Sequence, residues 1–525
     1  MADQRSNVLF LMSDEHNPRF RGGRDRTDGR GGEPVATPAL DDLAAAGTAF
    51  TDAYCPMPLC APSRQCMLTG KEQHHAGAWG NASVLTGEQT TLPEAFSTAG
   101  YETCLVGKMH FNGTRQFNGY DYRPYGDLTG HGIQQPGHQP DPVHYDDLDV
   151  QPRRQAIDIG TRIPGAGVTQ IPESLLQEQV VARETVSWLR EHRARSDDPW
   201  FLTASFSRPH FPLTAPRRHV EQYPPGDVPE PPVGDEGDPA DHPHVESRRE
   251  RYRLEEFDDG QLRQARAAYF ACVSFLDEVL GELLGTLEAE GFLEETIVVY
   301  VSDHGDMAGE HGLWWKGTFF EGSAGIPMLI QTPAQRRGDA PGRRVETPVN
   351  LVDTFPTLCG LTGVDAPGDL DGVDLAESVR TGTEPDRGPV FTDSLGGGDH
   401  SFRMVRDGRW KYVGFRDAPE LLFDLETDPH ETRNLAPDAE GAAAEALDRL
   451  RGLVGDTVDF QAAVRQREAA SEAAADYELG IPPGTGNAYV MPDGRLIDAA
   501  SPLYRPDELA DDVSLVFEDW PGGER

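Results

Sequence analysis

Val8-Leu9-Phe10-Leu11-Met12 is an unbroken apolar run of strand length that stops at Ser13-Asp14-Glu15. A run this short and this apolar reads as a strand buried on both faces, as in a parallel sheet. The pattern recurs. Thr103-Cys104-Leu105-Val106 runs into Gly107-Lys108-Met109-His110, and Trp200 to Ser205 into Arg208-Pro209-His210. Ile297-Val298-Val299-Tyr300-Val301 runs into Ser302-Asp303-His304-Gly305. In open α/β sheets ligands bind beyond the carboxyl ends of the strands. Four such runs place Asp14, Lys108, His210 and Asp303 on one rim.

The segments between these runs read as helices. Pro38 to Ala46 is one; a second starts just after Pro62; a third covers Gln261 to Glu290, with Tyr269, Leu276, Leu280, Leu283 and Leu287 at helical spacing. Beyond about residue 385 the texture changes. Phe402 to Tyr412 reads as two strands around an Asp407-Gly408 turn, Leu421 to Leu425 as a third, and Asp438 to Val454 as an Ala-rich helix. The expectation is therefore α/β: a large mixed, mainly parallel sheet flanked by helices over 1–385, then a smaller α+β unit with an antiparallel sheet and an acidic tail over 386–525. Asn112 to Ala166 and Tyr223 to Glu250 are rich in Pro, Gly, His and acid and read as long loops. Their histidines (His131, His138, His242, His244) lack ligand spacing and are assigned to surface loop.

Composition narrows the partners. The 525 residues carry a formal net charge of −41, so a phosphate backbone is repelled and nucleic acid is excluded as a partner. The acid excess fits a high-salt setting, where self-repulsion is screened. No apolar run approaches the ~20 residues that span a bilayer, and Met1 to Ser6 shows no secretory pattern, so the expected location is the cytoplasm, without a membrane partner. The six cysteines fit neither a zinc pair nor a disulfide framework. Only four lysines are present, Lys71, Lys108, Lys316 and Lys411, and two of them lie beside the polar ends described here. The tail beyond Tyr477 reads either as an arm onto a second copy, in a homo-oligomer, or as disorder.

Cys60-Ala61-Pro62-Ser63-Arg64, followed by Leu68-Thr69-Gly70, has the Cys-x-Pro-x-Arg form. It resembles the segment that formylglycine-generating enzymes oxidise in type I sulfatases, members of the alkaline phosphatase superfamily. The resemblance extends in order through the Asp14 strand end, Gly107 to His110, His210, Ser302 to Gly305, Lys316 with Glu321 to Ala324, Leu351 to Leu358, and Asp424 to Pro429. It implies a sulfuric ester hydrolase. Cys60 becomes 3-oxoalanine (formylglycine), whose hydrate attacks sulfur. A divalent metal, calcium before manganese or magnesium, is held by Asp14, Asp303, His304 and Cys60, with Glu15 where many members have a second aspartate. Arg64 pairs with the diol and the metal carboxylates. Lys108 and Lys316 bind sulfate oxygens, His210 protonates the leaving oxygen, and His110 deprotonates the remaining hydroxyl.

Asn81, in Gly77-Ala78-Trp79-Gly80-Asn81, resembles a sulfate-contacting asparagine of choline-sulfatase-like members, where a cationic substrate would stack on Trp79, Trp314 or Trp315. The implied partners are a small sulfate ester and, transiently, a formylglycine-generating enzyme. Two alternatives stay open at this point: a phosphonate monoester or phosphodiester hydrolase of the same superfamily, and a catalytically silent protein that binds sulfated sugar.

Overall fold

The computed structural model describes residues 5–21, 32–112, 115–125, 159–232, 239, 241–396, 400–479, 488–490 and 496–498. Its centre is a nine-stranded sheet. The strand order is Arg343–Val345, Thr48–Tyr54, Gly325–Gln331, Thr296–Ser302, Asn7–Asp14, Trp200–Pro209, Glu102–Gly107, Tyr122–Tyr125, with Val349–Asn350 also on Thr48–Tyr54. Gly325–Gln331 is antiparallel to both neighbours; the other pairings are parallel. The four runs of the sequence reading are thus adjacent and parallel. Met12 sits between Ser205 and Val301, so three strands end nearly level.

The two-residue period of a strand explains the layering. Leu9 and Leu11 face one core with Leu276, Leu280 and Val181, supplied by helices Asp259–Ala289 and Gln177–Arg195. Val8, Phe10 and Met12 face a second core with Met67, Leu68, Phe96 and Phe355. The long helix starts on a capping box: Asp258 accepts from the Gln261 N–H at 2.8 Å while Gln261 accepts from the Asp258 N–H at 3.1 Å.

A second sheet, all antiparallel, orders Val390–Ser394, Phe402–Asp407, Trp410–Phe415 and Leu421–Asp424. Asp407 pairs with Trp410 across the expected turn, where Gly408 has φ 55°. The first of the four strands was not read from sequence. One face of this sheet (Phe402, Met404, Val413, Leu421, Phe423) continues the main core; the other packs Val405, Tyr412 and Leu422 on helix Ala442–Thr457. A further helix, Phe460–Leu479, follows.

Two expectations need correction. The helix placed after Pro62 begins at Cys60; Pro62 falls in the first turn, where its missing N–H has no partner to lose. His242 and His244 are buried rather than in a surface loop. Pro243 opens helix Pro243–Tyr252, His242 caps it, and His244 packs among Phe319, Phe402 and Phe415. His131 and His138 lie outside the described residues.

Candidate active site

The rim collects the expected side chains around one sulfur atom. Cys60 is the first residue of its helix and is fully buried. Its Sγ lies 3.1 Å from Lys316 Nζ, 3.3 Å from His304 Nε2, 3.7 Å from Asp14 Oδ1 and 3.9 Å from Lys108 Nζ. His110 and His210 also hydrogen-bond to it. Burial alone would push the thiol up. Lys108 and Lys316, then His304 and His110, reverse this and hold it well below the usual thiol value. The position favours an anion.

Arg64 stands one turn on, where the helix aims it back under the rim. Its Nη2 meets Asp14 Oδ2 at 2.9 Å and its Nε meets Asp303 Oδ2 at 2.8 Å. Nη1 donates to the Lys108 carbonyl at 2.7 Å and to Ser205 Oγ at 3.0 Å. Lys108 Nζ takes the same Asp14 oxygen at 2.5 Å. Both carboxylates are therefore tied from behind through Oδ2; Asp14 Oδ1 faces Cys60, and Asp303 Oδ1, which accepts from the Glu15 and His304 N–H groups, lies 3.7 Å from His304 Nε2. Burial raises Asp14, as does Cys60, but Lys108, His210 and Lys316 outweigh them and hold it well below the ordinary carboxylate range.

A metal fits this donor set. Asp14, Cys60, Asp303 and His304 each bring a ligand atom within 4.8 Å of the others. His304 Nδ1 faces the Gly305 carbonyl at 2.9 Å, which fixes the ring with Nε2 inward. Two carboxylates with one imidazole suit a hard divalent cation. Glu15 falls in an adjoining group of potential ligands that shares Asp14 and adds His210, their ligand atoms also within 4.8 Å of one another. Its backbone has φ 68°, and its Oε2 lies 3.1 Å from Lys316 Nζ and 3.5 Å from His210 Nε2. Burial pushes Glu15 up to about 8 against the pull of Lys316. A third group of potential ligands, Glu72, His74 and Asp393, is already neutralised by Arg403, 2.7 Å from Glu72 and 2.6 Å from Asp393.

His210 Nδ1 lies 2.6 Å from the Phe211 carbonyl, so the ring presents Nε2 to the site. Burial, reinforced by Lys316 and Lys108, lowers it to about 3. Asn81 Oδ1 accepts from the Ala61 N–H at 3.1 Å, which places that side chain at the start of the Cys60 helix. Trp79, Trp314 and Trp315 are 8%, 3% and 0% exposed, which makes them packing residues and not an open aromatic cage. Sequence reasoning missed Ser205, which anchors Arg64, and Tyr269, whose hydroxyl donates to the Glu15 carbonyl at 2.6 Å. Ser205 closes one of the four apolar runs, which was its only signal.

A sheet of this order, with carboxylates, lysines and a helix-borne cysteine at its carboxyl rim, defines a hydrolase of the alkaline-phosphatase-like fold. The sulfatase family model matches residues 6–364, and the C-terminal model of N-sulphoglucosamine sulphohydrolase matches 309–451. The chain belongs to the sulfatase family and is a hydrolase acting on sulfate esters. It is 34% identical to a choline-sulfatase of Rhizobium meliloti over 89% of this chain and 90% of that one. It is 30% identical to an arylsulfatase of Clostridium perfringens over 86% and 94%. Among solved structures it is similar to a phosphonate monoester hydrolase of Agrobacterium radiobacter, with a TM-score of 0.68 and 25% identity over 87% of this chain and 96% of that one.

Proposed function

We propose that this sulfatase cleaves the sulfate ester of a small alcohol or phenol, with Cys60 as formylglycine and a divalent cation, calcium before manganese or magnesium, held by Asp14, Asp303 and His304. The observation that carries the reading is the convergence of Lys108 and Lys316 on the Cys60 side chain, 3.9 and 3.1 Å from its sulfur, in a chain of net charge −41. When present, the hydrated aldehyde supplies a hydroxyl nucleophile whose pKa the cation lowers.

The remaining work falls to the chain's own groups. Lys108 and Lys316 draw sulfate oxygens toward Cys60 and offset the charge that builds up as the ester bond breaks. His210 is a proton donor to the departing oxygen. The bound sulfate offsets the two lysines that depress His210, so substrate itself raises the imidazole's affinity for a proton. His110, hydrogen-bonded to the Cys60 side chain, takes a proton from that side chain in the second half of the cycle. Arg64 holds Asp14 and Asp303 at fixed separation. Asn81 borders the sulfate at the helix start.

Cys60 has no exposed surface, so its oxidation by a formylglycine-generating enzyme precedes folding. All six cysteines are unpaired, which supports a reducing cytoplasm as the location. No helix among the described residues is long and apolar enough to cross a membrane.

Choline sulfate, 4-nitrophenyl sulfate and a phenylphosphonate monoester form the first substrate panel, the last because of the phosphonate hydrolase neighbour. Sulfate turnover should dominate. The Cys60 peptide should weigh about 18 Da less than its cysteine form. Cys60→Ala should lower turnover about 10⁴-fold or more with the fold retained. An unshifted peptide mass together with wild-type rates in Cys60→Ala would falsify the nucleophile assignment.

A further inference from the structure

We propose that Arg248 is a specificity-determining residue that receives a second anionic group on the substrate, so that the preferred ester carries a carboxylate or another sulfate besides the one cleaved. The proposal rests on the sulfatase reading and narrows its substrate class.

Three observations meet at this side chain. The first is position. Trp315 and Gly317 both have left-handed backbone, φ 63° and 87°, and between them Lys316 is presented to Cys60. A Cβ on Gly317 would fall 2.7 Å from Arg248 Nη1, so glycine there lets the guanidinium lie against the loop that carries Lys316. Arg248 thus sits one residue outward from a group that touches the reacting side chain.

The second is the lack of a counter-charge. In this acid-rich chain Arg64 meets Asp14 and Asp303, Arg208 meets Glu178, Arg266 meets Glu33, Arg403 meets Asp393, and Arg406 meets Asp52. Arg248 is half-buried, yet among the described residues its hydrogen-bond partner is the neutral Tyr252, one turn along its own helix, and its charged neighbour is Arg251, a like charge. Partly desolvating a charge with no acid against it costs free energy, and a ligand carboxylate would supply that acid.

The third is access. Arg248 stays partly open to solvent, while Lys316 beside it is 7% exposed. Its planar fork suits bidentate capture of a carboxylate or sulfate. The same charge repels a quaternary ammonium, which sets this site against choline sulfate.

The test compares kcat/KM for 3- and 4-carboxyphenyl sulfate with phenyl sulfate in the metal-loaded, modified enzyme. The wild type should prefer one carboxylate isomer by about tenfold or more. Arg248→Gln should remove that preference, Arg248→Lys should keep part of it, and Arg251→Gln, exposed on the same helix, should leave the ratio as it was. A wild type without preference, or an Arg248→Gln ratio equal to the wild-type ratio, overturns the proposal; the latter makes Arg248 a brace for the loop. Calorimetry with 4-sulfobenzoate against benzenesulfonate separates this from the parent reading. If no ester is hydrolysed but the wild type alone favours the dianion, the hydrolase reading fails and the anion site stands. If the two bind alike in wild type and Arg248→Gln, the anion site falls.

Discussion

Lys316 and Lys411 are both buried, and the contrast between their surroundings separates function from architecture. Lys411, 0% exposed, lies 2.7 Å from Glu321 and 2.7 Å from Glu431, so its charge is met from both sides. Lys411 and Arg406 hold Glu321 low against burial, while burial pushes Glu431 up to about 7. That trio ties the small sheet to the loop after Lys316. Lys316 shares one side with Glu15 and spends the other on the Cys60 sulfur, with Lys108 already within 3.9 Å of the same atom. Lys108 likewise has Asp14 at 2.5 Å, so each of the two ammonium groups has a carboxylate on one side and the reacting side chain on the other. A lysine that completes a fold is met by carboxylates on both sides; a lysine that serves catalysis keeps one side for the reacting group.

The largest test of this contrast exchanges the consequences. Lys316→Ala should cut kcat/KM about 10³-fold, in the range lost when a charge-stabilising group is removed, with little change in melting temperature. Lys411→Ala should cost about 3–5 kcal/mol of stability by stranding buried carboxylates, while the fraction that stays folded keeps its kcat. Urea titration and initial rates on both variants read the two effects. If Lys411→Ala lost activity at full stability, the division between the two regions would be wrong.

The same contrast marks what the sequence could reveal. Strand ends were legible because a short apolar run with a polar stop has one sensible place in a parallel sheet. Asp14, Lys108, His210 and Asp303 were found that way. The destination of Glu15 was not legible. It depends on a left-handed φ at residue 15 and on a lysine 301 positions away. His242 and His244 were misplaced because a Pro- and acid-rich stretch hides a helix start whose N-cap is an uncommon residue. Strand Val390–Ser394 was missed because it is brief and passes at once into a glycine run. Arg248 carried no signal, since only the folded chain shows that no acid among the described residues reaches it.

A smaller effect sharpens the comparison at Glu15, the acid that Lys316 does use. If Glu15 positions Lys316 and His210, as the 3.1 and 3.5 Å separations indicate, Glu15→Gln should leave metal affinity within about threefold and raise KM more than it lowers kcat. Asp303→Asn should instead weaken metal binding about 10- to 100-fold, the scale expected for a lost ligand or its orienting partner. Metal content after dialysis against graded chelator measures both without recourse to turnover. Equal loss in the two variants would restore Glu15 to the ligand set.

The smallest effect is a pH dependence that belongs to the Lys411 region. His311 is buried and stacked on Phe320 at 3.9 Å. Burial first, then Arg19 and Lys411, lower it from 6.5 to about 3. A depressed imidazole takes its proton more readily in the unfolded chain. Stability is therefore complete above the unfolded value of 6.5 and is lost progressively as pH falls from there toward about 3, with a slope of at most ~1.4 kcal/mol per pH unit. His311→Asn, which tolerates the left-handed φ of 53° at this position, should be less stable at pH 7 for want of the stacked ring, yet show a flatter decline between pH 6.5 and 4. Urea midpoints across that window give the slope directly. His210 is lowered equally far and by the same linkage adds to the unfolding slope of the free protein, so the difference between wild type and His311→Asn isolates the His311 share, while bound sulfate should bring His210 into the rate profile as well. A decline as steep in His311→Asn as in the wild type would move the acid sensitivity out of the Lys411 region and weaken the claim that charge there serves the fold alone.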